Sequence, residues 1–341
     1  MKKHFAMALV LLLALSVLTV SALAEGKDGG ETIGYISFLN LSEEQIMARR
    51  GAERPAREYL KEHGVLELTE HVIPATDLVP YDTLDAMLMG LLSGEVREIE
   101  VPDCTARYLC AVNDRVKQVV LYHPEKAEGF SKNLINRLGS GYSFLMLEEN
   151  SGLRDQFDQV IEAMMADGTL EELVRVHITE AARSGKPEAV KFETFDGEPI
   201  RVAVTGSLPP MDYVAEDGSF AGFNTAILAE IGKRLEKNIE LVQTDSVGRA
   251  LSLAQGKVDV VFWTRGMTEV QFRYGAPTMS EEELESYIQE KRAMYTEEEF
   301  AILSGMHDEL SPGTHRYRDM PEGTIITAPY YSDVNVLVTL K

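Results

Sequence analysis

Cysteine is nearly missing from this 341-residue sequence, with only Cys104 and Cys110 present. Two thiols make neither a disulfide framework nor a four-thiolate zinc site. They stand six residues apart, and on a helix that separation is ~9 Å along the axis with the side chains on different faces. That geometry excludes a bond between them and leaves two free thiols. Positive charge is also short, 33 Lys+Arg against 55 Asp+Glu, a net charge of −22. Nucleic acid needs a basic face, so no nucleic-acid partner is expected. There is no Gly-x-Ser-x-Gly elbow, His-Glu-x-x-His pair, phosphate loop or dinucleotide fingerprint, and the seven histidines are scattered. No metal site, cofactor or catalytic residue is therefore expected.

Long apolar runs are missing too, with one exception at the N-terminus. Met1–Ala24 has a basic start at Lys2 and Lys3, an apolar run over Phe5–Val20, and the small-residue end Ala22-Leu23-Ala24. This is the pattern of a secretory signal cut before Glu25. The other reading is an uncleaved anchor, for which the run is short against a ~20-residue span. Cleavage removes two lysines and no acid, moving the charge from −22 to −24. The expected product is soluble and exported, periplasmic or extracellular.

What remains is ordinary globular material, 45% hydrophobic and 26% charged, long enough for about two domains of ~150 residues. It reads as an α/β chain with two similar units. In the first, Ile33–Phe38 has strand composition, Ser42-Glu-Glu-Gln45 opens a helix to about His63 that Pro55 is expected to kink, and a second strand is expected near Glu70–Ile73. A helix from about Thr83 to Leu92 then ends at Ser93-Gly94, and Val96–Val101 is a strand. The second unit repeats the order: strand Ile200–Val204, a helix capped by Asn224, strand Ile239–Gln243, helix Arg249–Gln255, then Gly256 and a buried strand to Trp263. Between them, Ser151–Ala166 has one apolar face, and Thr169-Leu-Glu-Glu172 is a capping box for a helix to about Ile178. Strand–helix alternation of this kind gives mostly parallel sheets, with ligands at the carboxyl ends of the strands.

The residues Val202–Tyr213, Asp217-Gly218, Gly222-Phe223-Asn224 and Gln255–Asp259 resemble the first lobe of a type II periplasmic solute-binding protein, of the polar-amino-acid receptor group of ABC transporters. Pro329–Asp333 and Val336–Lys341 resemble the strand that leaves that lobe through the hinge. Ile33–Asn113 resembles the second lobe, Tyr142–Leu147 the returning hinge strand, and Asp155–Ile178 the closing helices. The resemblance implies a circularly permuted two-lobed fold: signal 1–24, second-lobe-like unit 25–141, hinge strand and closing helices 142–180, linker 181–199, first-lobe-like unit 200–341. Permutation is tolerated where termini lie close and the new break falls in a surface connection. A helical insertion is expected at about 275–325, from the capping boxes Ser280–Glu283 and Thr296–Glu299; residues 278–310 carry ten acids and two bases.

The resemblance also implies site residues. Loops Ser207–Tyr213 and Thr264–Thr268 should face the cleft. The family's ring after Pro-Pro is here Met211, with Tyr213 two residues on; Met211 equally suits a core. Arg265 or Arg273 should hold a ligand carboxylate through a two-pronged hydrogen bond, Arg265 being favoured. Trp263 is core or cleft wall. From the other lobe, Asn40 and Ser42 occupy a helix N-terminus, Ser42 equally as a simple cap, and Asp103 would meet an ammonium or cap a helix. The expected partners are a small amino-acid-like ligand and ABC-transporter membrane subunits or a sensor, the chain itself being a monomer. The alternatives are a dehydratase-type enzyme on the same scaffold and a protein-binding ectodomain that has lost its ligand.

Overall fold

The computed structural model describes residues 32–36, 43–69, 77–185, 188–215, 217–245, 248–266, 281–307 and 323–341. The signal-like segment 1–24, the turn holding Asn40 and Ser42, the strand expected near Glu70–Ile73, Arg273 and the side chain of Arg265 lie outside them. The strands are β1 (Thr32–Ile36), β2 (Leu66–Leu68), β3 (Asp77–Tyr81), β4 (Glu98–Pro102), β5 (Val116–Gln118), β6 (Val120–Tyr122), β7 (Gly139–Leu147), β8 (Ile200–Val204), β9 (Ser207–Leu208), β10 (Asp212–Val214), β11 (Phe220–Ala221), β12 (Ile239–Gln243), β13 (Val260–Gly266), β14 (Thr324–Ile326) and β15 (Tyr331–Leu340). The helices are α1 (Glu43–Glu62), α2 (Leu84–Ser93), α3 (Asp103–Val112), α4 (Gly129–Leu138), α5 (Ser151–Ala166), α6 (Thr169–Val174), α7 (Ala181–Ser184), α8 (Phe223–Leu235), α9 (Gly248–Ala254), α10 (Glu281–Met294) and α11 (Glu297–His307).

Ten strands form one mixed sheet among the described residues, in the order β12-β8-β13-β7-β15-β4-β1-β3, with β14 also on β7 and β5 also on β15. The order has an internal symmetry. On one side β3, β1 and β4 run parallel and end on β15, which also carries antiparallel β5. On the other, β12, β8 and β13 run parallel and end on β7, which also carries antiparallel β14. The two halves join where β7 and β15 pair antiparallel, Tyr142 opposite Tyr331 through Gly139 opposite Val334. β15 thus serves both halves: residues 331–334 pair with β7 and residues 335–339 with β4.

The sequence repeat follows the same symmetry. Gly94 and Gly256 both adopt positive φ, 79° and 65°, each closing a helix before its strand. The 162 residues between them also separate Leu91 from Leu253, Val96 from Val258 and Ile99 from Val261, and all six side chains are buried. Equivalent positions therefore bury equivalent side chains, which is what a repeated strand–helix unit requires. Each half has its own apolar core. One gathers Ile33, Leu60, Met87, Ile99, Leu134 and Val338; the other gathers Phe144, Phe157, Val202, Phe223, Ile227 and Val260. The fold is α/β and two-lobed.

Local chemistry agrees with the sequence at several ends and departs from it at others. Thr83 caps α2 by accepting from the Ala86 N–H, 3.2 Å. The capping box of α11 forms in both directions, Thr296 N–H to Glu299 and Glu299 N–H to Thr296. α1 is continuous from Glu43 to Glu62 and carries Pro55 inside it. Asn224 does not cap α8: it lies one residue inside the helix and accepts from the buried Tyr330 hydroxyl at 2.8 Å, while Gly222 takes the cap position. Thr169 is not a cap either. Its hydroxyl accepts from Arg234, Glu172 turns to Arg175, and the helical path continues through a π turn at Arg175–Glu180 into α7.

Candidate functional site

The carboxyl ends of β8 and β13 on one half face the start of α3 and the crossing strands on the other. β8 ends at Thr205-Gly206, and the short β9–β10 hairpin follows. Asp212, buried in that hairpin, accepts from the Thr205 N–H at 2.8 Å and its hydroxyl at 2.9 Å, while its other carboxylate oxygen has no hydrogen-bond partner. Burial pushes its carboxyl above the usual range. The turn before it is fixed by backbone bonds: Met211 N–H to Leu208, Phe223 N–H to Pro210 and Asn224 N–H to Met211. Gly222 has φ 106°, and a Cβ there would lie 2.6 Å from the Met211 carbonyl oxygen. Only glycine lets α8 start this close to the Pro-Pro turn.

Met211 is fully buried in the β8-half core, against the same cluster as Phe223 and Ile227. Trp263 on β13 is buried with Leu145 and Leu253, and the Arg249 guanidinium lies 6.0 Å from its ring centre. Arg249 also donates to the Phe262 carbonyl, 3.0 Å. Burial lowers its pKa, and the charge of Asp212 opposes that shift. Thr264 and Arg265 pair along β13 with Tyr142 and Gly141 of the crossing strand. Ser207 and Thr264 are half-buried at the strand ends.

On the β1 half, Asp103 is buried at the first turn of α3. It receives Arg107 on one oxygen and the Gln118 amide on the other, the latter at 2.7 Å. The N-terminus of α3 is capped by another acid: Asp333, on β15, accepts from the Cys104 N–H at 2.8 Å. Burial raises the Asp333 carboxyl to about 6, and the nearby Asp103 charge pushes the same way. Both cysteines are free; burial and the Asp333 charge raise the Cys104 thiol well above its usual value.

The two halves touch at this face. Tyr108 on α3 and Tyr213 on β10 have ring centres 6.4 Å apart, and Leu208 packs against both cores. The Tyr213 hydroxyl is buried without a hydrogen-bond partner, and burial raises its pKa. The structure therefore brings Ser207, Tyr213 and Thr264 to one end of the β8 half and Asp103 to the facing end of the β1 half, whereas Met211 and Trp263 are core residues in separate clusters on opposite faces of the β8-half sheet. Sequence reasoning missed Arg249, Asp212, Tyr108 and Asp333. Of these, Arg249 and Asp212 had the only local signals, since each lies on an element that directly follows a parallel strand or on the hairpin after it.

Residues 200–277 match the family model of the bacterial extracellular solute-binding proteins, family 3. The matched stretch carries β8 to β13, the Pro-Pro turn and the Gly222 helix start. No curated protein sequence matches the chain. Among solved structures, the chain is similar to the VFT2 domain of Bordetella pertussis BvgS: 11% identity, 91% of this chain, 80% of that one, TM-score 0.35. It is also similar to ArgBP of T. maritima: 10% identity, 92% and 82%, TM-score 0.32. A third is the ligand-binding component of an ABC-type import system from Staphylococcus aureus: 10% identity, 92% of this chain but 66% of that chain, just under two thirds, TM-score 0.35.

Proposed function

We propose that this chain is an exported solute-binding protein that holds a small amino-acid-like ligand between its two halves and presents it to an ABC transporter or a sensor. The observation that carries the reading is the β7–β15 crossing, which joins two equivalent sheets whose parallel strand ends face one another. Such a joint lets two lobes close on a ligand, and the ligand stabilises the closed state by touching both. The solute-binding match over residues 200–277 supports the same reading. The chain order is that of a permuted receptor: second lobe, closing helices, first lobe.

In this reading Arg265, at the end of β13, clamps the ligand carboxylate, with Ser207 and Thr264 supplying hydroxyls. Tyr213 forms the wall, with Met211 in the core behind it, and Trp263 supports the opposite face of the sheet. Asp103 takes the ammonium by exchanging it for Arg107, and Asn40 and Ser42 complete the far side. No catalytic step is part of the proposal. A thermal-shift screen of amino acids, short peptides and organic acids tests it. A ligand at ~100 times its Kd adds about 2.7 kcal/mol of stability and raises the melting temperature. No shift with any of them overturns the reading.

One observation favours a second reading, a protein-binding ectodomain without a small ligand. Asp103 is already satisfied by Arg107 and Gln118, and Tyr108 and Tyr213 close the face from both sides. Native mass spectrometry of protein purified without refolding separates the two: a bound small molecule supports the receptor, and a bare mass under conditions that preserve complexes supports the ectodomain.

A further inference from the structure

Besides the crossing strands, one continuous helical path is held by both halves. It starts on the β8 half. Leu170 of α6 lies in that core, the Thr169 hydroxyl accepts from Arg234 of α8 at 2.8 Å, and Arg234 also reaches Asp167 at 2.9 Å. The path continues through the π turn Arg175–Glu180, whose Ile178 is buried in the same core, and into α7. There it meets the β1 half, since α7 packs along α3. Ala181 and Ala182 of α7 are buried. A Cβ on Gly185, which closes α7, would lie 2.8 Å from Cγ1 of Val112 at the end of α3. α3 is seated in its own half by Ala106 and Leu109, and it carries Asp103 and Tyr108, the latter facing Tyr213 across the seam.

A rotation of the β1 half about the β7–β15 crossing carries α3, whereas α6 is tied to α8. The helix joining α6 to α7 must then bend, or α7 must slide off α3. A helix bends where its i to i−4 ladder is already interrupted, and a π turn is such an interruption. His177 inside the turn is buried with its Nδ1 unpaired. Rearrangement there costs that atom no hydrogen bond and lets it reach water. We propose that Thr169–Ser184 is a third connection at the hinge, with the π turn as its joint. α7 moves with α3 and positions it, and so places Asp103 and Tyr108 relative to Tyr213. The joint absorbs the change in backbone angle, as element-terminal residues do in hinged closures.

The proposal rests on the two-lobe reading but on no ligand. Native-state hydrogen exchange of the unmodified chain in rising urea tests it without any variant. Amides of residues 178–185 and of α3 should lose protection in one step with a shared urea dependence, while α6 stays protected on α8. Any other order, with residues 178–185 opening apart from α3 or in step with α6, overturns the joint. Deletion of Thr179, exposed in the π turn, adds a second reading. One residue fewer turns α7 by about 100° around the helix axis and takes Ala181 and Ala182 off α3. The expected result is a larger radius of gyration in small-angle X-ray scattering and lost protection in α3, with β8 and β13 protected as before. A folded deletion variant of wild-type size and wild-type α3 protection overturns the proposal; one that does not fold leaves the decision to the exchange order of the unmodified chain. Failure of the joint leaves ligand-induced stabilisation intact, and failure of solute binding leaves the exchange order intact.

Discussion

Asp333, on the crossing strand β15, accepts a hydrogen bond from the Cys104 N–H at the first turn of α3, 2.8 Å away. A helix start leaves unsatisfied N–H groups, and an acid there both caps them and meets the positive end of the helix dipole. Here the cap comes from 229 residues away and from the strand that serves both halves. At pH 4, where the carboxyl is protonated in the folded chain, Asp333→Ala should therefore cost about 1–2 kcal/mol for the lost cap. Urea denaturation with the slope unchanged checks it.

The same carboxyl gives a pH dependence with a definite sign. Its pKa is raised from 3.8 to about 6 in the folded chain by burial and by Asp103. Between those values the folded state binds more protons than the unfolded one, so this group's contribution to stability falls as pH rises from about 4 through 6. The full effect is on the order of 3 kcal/mol at ~1.4 kcal/mol per unit. Asp333→Asn, which mimics the protonated form, should flatten that part of the curve. Melting temperatures of the wild type and variant across pH 4 to 8 should converge at the acid end and separate above pH 6; parallel curves would contradict it.

Gly222 is held to glycine by space as well as by φ. Gly222→Ala places a Cβ 2.6 Å from one backbone carbonyl oxygen and 2.7 Å from another. Backbone atoms of a fixed turn do not yield cheaply, so the variant should lose more than ~2 kcal/mol. Gly51, exposed in the middle of α1 with nothing within 4 Å, is the matched control. Gly51→Ala should gain about 0.5–1 kcal/mol from helix propensity alone. Denaturant midpoints moving in opposite directions would bear both out.

These positions also show what a sequence makes legible. The strand–helix–Gly unit was readable because α2 and α9 each end at a positive-φ glycine and each bury one leucine three residues before it. Thr83 and Thr296 were readable because a cap is satisfied within three residues. Asn224 and Thr169 have the same local signature, but partners from other elements, Tyr330 and Arg234, occupy their side chains. Asp333 and the Ile302–Leu303 pair had no local signature at all. A cap donated across 229 residues, and the core that receives Ile302 and Leu303, acquire meaning only when the tertiary arrangement is known.

Trp263 is the single tryptophan, so its emission reports one place. The Arg249 guanidinium lies 6.0 Å from its ring centre and donates to the Phe262 carbonyl from a half-buried position. Arg249→Ala removes a charged hydrogen bond and the cation–π contact, at a cost of about 2–4 kcal/mol. It also leaves Asp212 without an attracting charge, which should raise that carboxyl further. The expected readout is a change in Trp263 emission together with a lower midpoint. An unchanged spectrum would show that Arg249 does not hold the indole's surroundings.

Asp103 separates the two functional readings. If it receives a ligand ammonium, Arg107 is its placeholder, a half-exposed guanidinium held by the same carboxylate oxygen. Arg107→Ala then removes a competitor and should tighten binding of an amino acid several-fold, because the ligand no longer has to displace an internal ion pair. Because Asp103 is buried and would keep only the Gln118 amide, the unliganded variant should also lose about 1–3 kcal/mol of stability, which the ligand's ammonium restores. Asp103→Asn should weaken the same ligand by at least about tenfold, the ordinary penalty of ~1.4 kcal/mol or more for losing a charged partner. Calorimetric titration of both variants with a ligand found by thermal shift gives opposite signs if Asp103 is the ammonium site. Equal affinities would remove Asp103 from the ligand and leave it as part of the structural network with Arg107, Gln118 and Asp333.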